Sequence, residues 1–201
     1  RVAYIFRSEK GFWYTGLMVS SLDTDRLTVA VVQMDSLQDL NQNLQKALDF
    51  CKQAVQKKAQ FIVFPEVFNY RPNETSDQTH FETIPGPSTT PFMDFANNHE
   101  VTILVSISEA IPNSPKAYNT SVLIGPQGQI IAQYRKIHLF DVRLAEREIL
   151  ESKRYAVGDC PVMGDVFGIP VGLSICYDLR FPELYRYYAQ KGAKILCVPS
   201  N

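Results

Sequence analysis

The amino-acid sequence predicts a single α/β domain in which helices cover the faces of a sheet. Three observations lead to this prediction. Apolar β-branched runs alternate with amphipathic segments, one strand–helix–strand unit can be read directly, and 201 residues with 45% hydrophobic content suffice for one core. No linker or low-complexity tract divides residues 26–201, which we assign to the domain. Residues 1–25 are predicted to form an N-terminal extension of unknown role.

The first elements of this domain form a βαβ unit. Residues 27–32 are an unbroken apolar run of the kind found in strands that are buried on both faces. Asp39 should cap a helix, because apolar residues then recur at steps of three and four up to residue 59. Residues 61–64 form the next strand, which should lie parallel to the first through a right-handed crossover.

The remaining elements are predicted from periodicity and turn residues. Residues 135–164 form a long charged excursion with a helical piece at 144–151, and connections of that length are usually functional. The other predicted elements are a helix at 91–99, a strand at 101–107, hairpin arms at 120–124 and 129–134, a strand at 171–175, a helix at 182–190 ending before Gly192, and a strand at 194–198.

Composition limits the classes of partner. Twenty basic and 21 acidic residues give a net charge of −1, which gives no electrostatic support for binding to nucleic acid or to an anionic membrane. No run of about 18 apolar residues occurs, so no membrane-spanning helix is predicted. The expected partner is therefore a small molecule or a protein.

Cysteine and histidine spacing bears on redox compartment and metal binding. The four cysteines lack CxxC spacing, which indicates reduced thiols and a cytoplasmic location, with a mitochondrial one as the alternative. The histidines are scattered singly, without the spacing of a zinc site, so no metal is expected. These residues are Cys51, Cys160, Cys176 and Cys197, and His80, His99 and His138.

Three potentially reactive side chains follow predicted strands. Glu66, Lys136 and Cys176 each come at or just after a strand end, and ligand sites in open α/β sheets lie outside the carboxyl ends of strands. Cys176 also precedes a helix start, which would favour its thiolate form. A carboxylate, an ammonium and a thiol supply the base, oxyanion donor and nucleophile of acyl transfer. The competing interpretations are a polar loop residue, a solvated cation and a buried small hydrophobe.

Specific segments resemble the nitrilase superfamily of carbon–nitrogen hydrolases, and within it the Nit branch of amidases. The likeness extends over residues 26–201. The segments that carry it are FPE at 64–66, YRKIHLFD at 134–141 and SICYDLRFPE at 174–183.

This resemblance implies an α-β-β-α sandwich that assembles as a homodimer or larger homo-oligomer and needs no cofactor. It implies catalytic roles for Glu66, Lys136 and Cys176, and a supporting role for Glu151, whose alternative is a solvated helix surface beside Arg147. The backbone N–H of Tyr177 would be a second oxyanion donor. Family members usually continue beyond the strand at 194–198, so the C-terminal part of the fold is expected to be lacking.

The resemblance also implies the substrate, a small carboxylate-bearing amide that is hydrolysed with release of ammonia through a cysteine thioester. Arg180 is a candidate for binding the carboxylate, with an ion pair to Glu183 as the alternative. Nitrile or N-carbamoyl hydrolysis uses the same trio, and a non-catalytic interaction protein on a truncated scaffold is the third hypothesis. Further candidates for the pocket wall are Tyr70, Arg71, Tyr118 and Asn119.

Overall fold

A computed structural model describes residues 3–6 through their backbone, and residues 26–72, 80–143 and 148–201 in full. Eleven strands and three α-helices are found in these segments, together with 3-10 turns at Glu151–Lys153 and Cys176–Arg180. In chain order they are β1 (Ala3–Phe6), β2 (Val29–Val32), α1 (Leu40–Gln56), β3 (Phe61–Val63), α2 (Thr90–His99), β4 (Thr102–Ala110), β5 (Ala117–Ile124), β6 (Ile130–Arg135), β7 (Asp141–Arg143), β8 (Glu148–Leu150), β9 (Val162–Val166), β10 (Ile169–Leu173), α3 (Pro182–Gln190) and β11 (Ile195–Cys197).

The strands form two mixed sheets and a ribbon. The first sheet has six strands in the order β1-β2-β3-β4-β5-β6, of which β1 to β4 are parallel and β5 and β6 antiparallel to their neighbours. In the second sheet, β10 pairs parallel with β11 and antiparallel with β9. Strands β7 and β8 form the separate antiparallel ribbon. β2, α1 and β3 are therefore the predicted βαβ unit.

Two hydrophobic cores define the order of the layers. One core joins the first sheet to α1 and α2, where Phe64, Phe68 and Phe92 pack with ring centroids 5.2–5.5 Å apart. The other core lies between the two sheets and combines side chains such as Leu123 with Leu173. The sheets approach closely at Gly164, where a Cβ atom would lie 2.4 Å from Leu123 Cδ2.

The second helical layer is formed by α3. Tyr188 is fully buried, and its ring lies so near Gly172 of β10 that a Cβ there would be 2.7 Å from it. The Tyr188 hydroxyl donates to the carbonyl of Leu173. Helices therefore lie outside both sheets, which confirms the α-β-β-α sandwich.

Local signals predicted several element ends correctly. The Asp39 carboxylate accepts the Gln42 N–H at 3.0 Å and caps α1. Gly192 follows α3 with φ +88°, a backbone conformation that suits glycine. None of the helices in the described segments has the length and apolarity needed to cross a membrane.

The predicted helical piece at 144–151 is wrong where the structure describes it. Residues 148–150 form strand β8, which pairs with β7, and Glu151 begins a 3-10 turn. Residues 144–147 lie outside the described residues. The apparent helical pattern failed because the ribbon satisfies the backbone of this excursion through cross-strand hydrogen bonds.

Candidate active site

The two sheets bring three predicted side chains to one cavity. Glu66 follows β3 and Lys136 follows β6 in the first sheet, whereas Cys176 follows β10 in the second. All three line a cavity of about 900 Å³. The placement beyond strand ends is thus confirmed, and the site lies where the edges of the two sheets meet.

A buried ion-pair cluster forms the centre of this cavity. The Lys136 ammonium lies 2.9 Å from Glu66 Oε1, and its side chain is 2% exposed. Glu151 approaches from the other side, with its two carboxylate oxygens 2.9 and 3.0 Å from the same ammonium. The cluster therefore contains two carboxylates and one ammonium, so the positive charge does not fully neutralise the negative ones.

Asn119 on β5 joins the two carboxylates. Its Nδ2 donates to Glu66 Oε1 at 2.7 Å and to Glu151 Oε1 at 3.3 Å. Its Oδ1 accepts from the Ser106 hydroxyl at 3.2 Å, which fixes the orientation of the amide. The predicted position of Asn119 in the pocket wall is confirmed, because it lines the cavity.

The electrostatic environment keeps Lys136 charged. Burial alone would lower the pKa of Lys136, but attraction to Glu66 and Glu151, with a hydrogen bond to each, raises this pKa overall. A lysine ammonium has three donors, and three carboxylate oxygens lie within 3.0 Å of Lys136 Nζ. These carboxylates therefore fix the ammonium in the wall of the cavity that Cys176 also lines.

Glu151 is held by the backbone of the excursion. Its Oε2 accepts the Phe140 N–H at 2.6 Å, and its side chain is only 13% exposed. The alternative of a solvated helix surface does not hold for Glu151, since it begins a 3-10 turn and faces Lys136. Arg147 lies outside the described residues.

The segment around Gly158 passes very close to the backbone of Lys136. The N–H of Gly158 donates to the Lys136 carbonyl at 2.9 Å. A Cβ atom at position 158 would lie 2.1 Å from the Arg135 carbonyl oxygen, so a side chain there would displace the segment.

Cys176 occupies a strained turn. Its φ of +47° is uncommon for a residue other than glycine, and its N–H donates to the Pro199 carbonyl at 2.9 Å. Residues held in this way cluster at functional sites, because the turn presents the side chain away from the strand.

The surroundings of Cys176 act against the thiolate form that a helix start would favour. The pKa of Cys176 is raised, first by burial and then by the negative charge of Glu66. The charge of Lys136 lowers this pKa without reversing the shift. In place of the expected helix start, the residue opens a short 3-10 turn.

Residues around the trio complete the cavity wall. Tyr70, Tyr177 and Arg180 lie in it as predicted, and among the described residues the Tyr177 N–H has no acceptor. Arg180 makes no ion pair with Glu183, whose carboxylate faces Arg186 at 3.7 Å. The cationic lining residues are Arg71, Lys136, Lys153, Arg154 and Arg180, against the carboxylates Glu66 and Glu151.

The prediction for Tyr118 is wrong. Tyr118 does not line the cavity, and its ring lies 4.3 Å from the guanidinium of Arg135. Neighbouring residues of a strand point to opposite faces of a sheet, so Asn119 and Tyr118 cannot both face the cavity.

Sequence reasoning missed two residues of the site region. Arg154 lines the cavity, and its only signal was its place three residues after Glu151. Asp178 is fully buried two residues after Cys176, and a charge within an apolar and aromatic segment was the available signal. Within the described segments, no group of three His, Cys, Asp or Glu side chains is placed to hold a metal ion.

Comparison with known proteins identifies the class that this fold and site define. Residues 28–201 match the family described as carbon-nitrogen hydrolase, and the chain belongs to that family.

Proteins similar to this chain occur in a cyanobacterium and in animals. The chain is 40% identical over 177 residues to a deaminated glutathione amidase of Synechocystis, covering 85% of this chain and 65% of that protein. It is 35% identical over 177 residues to the omega-amidase NIT2 of Homo sapiens, covering 87% and 62%. The crystal structure of the C. elegans NitFhit protein superposes with a TM-score of 0.74 at 28% identity, covering 87% of this chain and 45% of that one. The chain thus spans less than two thirds of the length of these relatives.

Proposed function

We propose that the protein is an amidase that hydrolyses the C–N bond of a small carboxylate-bearing amide. The observation that carries this proposal is the meeting of Glu66, Lys136 and Cys176 in one cavity, where the Lys136 ammonium lies 2.9 Å from Glu66. The names of the Synechocystis and human relatives support the same chemistry.

Thioester formation is the first half of the reaction. Glu66 takes the thiol proton as the Cys176 sulfur attacks the amide carbonyl, forming a C–S bond and a tetrahedral oxyanion. The Lys136 ammonium and the backbone N–H of Tyr177 donate to this oxyanion, and one such donor is typically worth about 3 to 4 kcal/mol. Glu66 then protonates the leaving nitrogen, the C–N bond breaks, and ammonia departs.

Hydrolysis of the thioester completes the cycle. Glu66, again a carboxylate, removes a proton from water as the water oxygen attacks the thioester carbonyl. The C–S bond breaks, the proton returns to the Cys176 sulfur, and a carboxylic acid leaves. A raised pKa of Cys176 suits this cycle, because the thiol keeps its proton until Glu66 removes it during the attack.

The charge of the cavity wall supports an anionic substrate. Arg154 and Arg180 line the cavity, and within the described segments neither forms an ion pair with an acidic side chain. A guanidinium binds a carboxylate through paired hydrogen bonds, so either side chain can hold the end of the substrate remote from the amide.

The buried charges argue against a purely structural role. Burying two carboxylates and an ammonium costs desolvation energy that well-packed apolar side chains would avoid. A non-catalytic interaction protein has no need of this cluster, whereas acyl transfer requires each of its groups.

A panel of amides tests the proposal. Ammonia release is measured for the monoamides of succinic and glutaric acid, for acetamide, for a small nitrile and for an N-carbamoyl amino acid, with Cys176→Ala as the blank. We expect the monoamides to be hydrolysed and the blank to be inactive but folded. Activity retained in Cys176→Ala would contradict the thioester mechanism, and preferred turnover of the nitrile or carbamoyl compound would reassign the substrate.

The proposal extends to assembly and location. We propose a cytoplasmic homo-oligomer, supported by four free cysteines and by exposed apolar side chains near α3, namely Leu179, Tyr187 and Leu196. Light scattering of the purified full chain tests the oligomer, and a monomer at micromolar concentration would contradict it.

A further inference from the structure

The buried carboxylate of Asp178 binds two chain segments, one that carries Lys136 and one that carries Cys176. Asp178 is fully buried, and its Oδ2 accepts the Tyr134 hydroxyl at 2.7 Å and the Ile175 N–H at 2.8 Å. Its Oδ1 accepts the His138 N–H at 3.1 Å and lies 2.7 Å from His138 Nδ1. Four groups therefore converge on one side chain.

The hydrogen-bond partners of Asp178 lie next to Lys136 and Cys176 in the chain. Tyr134 and His138 flank Lys136 at two residues on either side, and Ile175 directly precedes Cys176. Lys136 belongs to the end of the first sheet and Cys176 to the end of the second. Asp178 thus ties together the two segments whose separation determines how far the ammonium lies from the sulfur.

Surrounding contacts make this link rigid. The His138 ring stacks on Phe181 with centroids 3.6 Å apart and planes 8° apart. The Tyr134 hydroxyl also accepts the Ile137 N–H at 3.3 Å, so the turn around Lys136 is held from both ends. Burial, followed by the charge of Asp178 and its hydrogen bond, raises the pKa of Tyr134, which keeps the hydroxyl protonated as a donor.

The chemistry of the side chain explains why a carboxylate is needed. A carboxylate is an acceptor at both oxygens, whereas an amide of the same shape presents an NH₂ group in place of one of them. In Asp178→Asn, that NH₂ would face either the Ile175 N–H or the His138 N–H, and two donors cannot form a hydrogen bond. One backbone contact that ties Asp178 to a reactive segment would therefore be lost.

We propose that Asp178 is a positioning residue that sets the Lys136 ammonium against the Cys176 sulfur by binding both segments. This inference rests on the proposed amidase function for its kinetic consequence but not for its geometry. Asp178 does not line the cavity, so it acts through Lys136 and Cys176 and not on the substrate.

The test compares Asp178→Asn with Tyr188→Phe. Tyr188 is the matched control, because it is equally buried, loses hydrogen bonds to Leu173 and Val162, and does not line the cavity. With glutaric acid monoamide as the probe, we expect kcat of Asp178→Asn to fall about 100-fold and KM to change less than about threefold, since small misplacement of reacting groups has effects of this size. Tyr188→Phe should lose a similar amount of Tm while kcat stays within about threefold.

A second readout follows the thiol itself. The rate of Cys176 alkylation by iodoacetamide is measured against pH in a Cys160→Ser background, which removes the exposed thiol of Cys160 and leaves the half-buried Cys176 beside two buried cysteines. Because the Lys136 charge lowers the pKa of Cys176, releasing Lys136 in Asp178→Asn should move the alkylation midpoint to higher pH. The midpoint should not move in Tyr188→Phe.

The outcomes separate the two proposals. A kcat loss in Asp178→Asn no greater than in Tyr188→Phe, or an unmoved alkylation midpoint, would overturn the positioning role. If the wild-type chain released no ammonia from any amide, the proposed function would fail and the alkylation comparison alone would decide. If Asp178→Asn does not fold, Tyr134→Phe removes one of the four contacts and should give a smaller shift in the same direction.

Discussion

The Lys136 ammonium lies within 3.0 Å of both carboxylate oxygens of Glu151, a residue from the ribbon excursion and not from either sheet. The same carboxylate accepts the Phe140 N–H, so it connects the backbone of the excursion to the ion-pair cluster. The long connection between β6 and β9 therefore completes the site that the sheets begin.

Glu151→Gln should lower kcat by about 10- to 100-fold, the range that corresponds to one hydrogen bond to a charged group. Glu151 helps to raise the pKa of Lys136, so the variant should also lose activity at a lower pH on the alkaline side of its profile. The measurement is kcat against pH for glutaric acid monoamide. Glu148→Gln is the control, because Glu148 is exposed and pairs with Lys153 and Arg143, and its profile should match the wild type.

Glu66→Gln should abolish most hydrolysis and yet make the thiol ionise more readily. Loss of the general base lowers kcat by about 100- to 10,000-fold. Loss of the Glu66 charge removes one cause of the raised pKa of Cys176, so the alkylation midpoint should move to lower pH in the Cys160→Ser background. A midpoint that moved upward would show that Glu66 promotes the thiolate instead of stabilising the thiol.

Arg154→Gln and Arg180→Gln should weaken the binding of anionic substrates selectively. Each is expected to raise KM for glutaric acid monoamide about 10-fold, since a charge-assisted hydrogen bond is worth roughly 1.5 to 3 kcal/mol. KM for acetamide should not change, because it has no carboxylate. Arg186→Gln on the exposed surface of α3 serves as the control. An equal effect on both substrates would point to a structural role for these arginines.

Alkaline pH should destabilise the fold through a buried thiol. Burial raises the pKa of Cys197 to about 12, above its value in the unfolded chain. A raised folded-state pKa gives stability that is complete below the unfolded pKa of about 8.5 and is lost as pH rises towards the folded one, at up to about 1.4 kcal/mol per pH unit. Urea unfolding at pH 7.5 and 10 should show this loss, and Cys197→Ala should show a smaller one. Equal losses in both proteins would contradict the assignment to Cys197.

The sequence correctly predicted the positions of site residues that lie at the ends of strands. Apolar runs located the strands before Glu66, Lys136 and Cys176, and the rule that ligand sites lie at carboxyl ends then brought these residues together. The parallel pairing of β2 with β3 followed from the amphipathic helix between their two apolar runs, which needs no tertiary information to be recognised.

Predictions from the sequence failed for features that are determined by tertiary contacts. Tyr118 and Asn119 are adjacent in sequence, and only the packing of β5 determines which of them faces the second sheet. Residues 148–150 form a strand and not the predicted helix, because short elements in charged segments carry little periodicity. The local argument for a thiolate failed because burial, followed by the charge of Glu66 from the first sheet, raises the pKa of Cys176.

The raised pKa of Cys176 affects how readily oxidants react with its sulfur. Hydrogen peroxide converts the thiolate, and not the thiol, to sulfenic acid, and further oxidation is irreversible. Burial and the charge of Glu66, which together raise this pKa, would leave the sulfur in its less oxidisable form between turnovers. In the proposed mechanism, the carboxylate that activates the nucleophile thus also helps to protect it from oxidation.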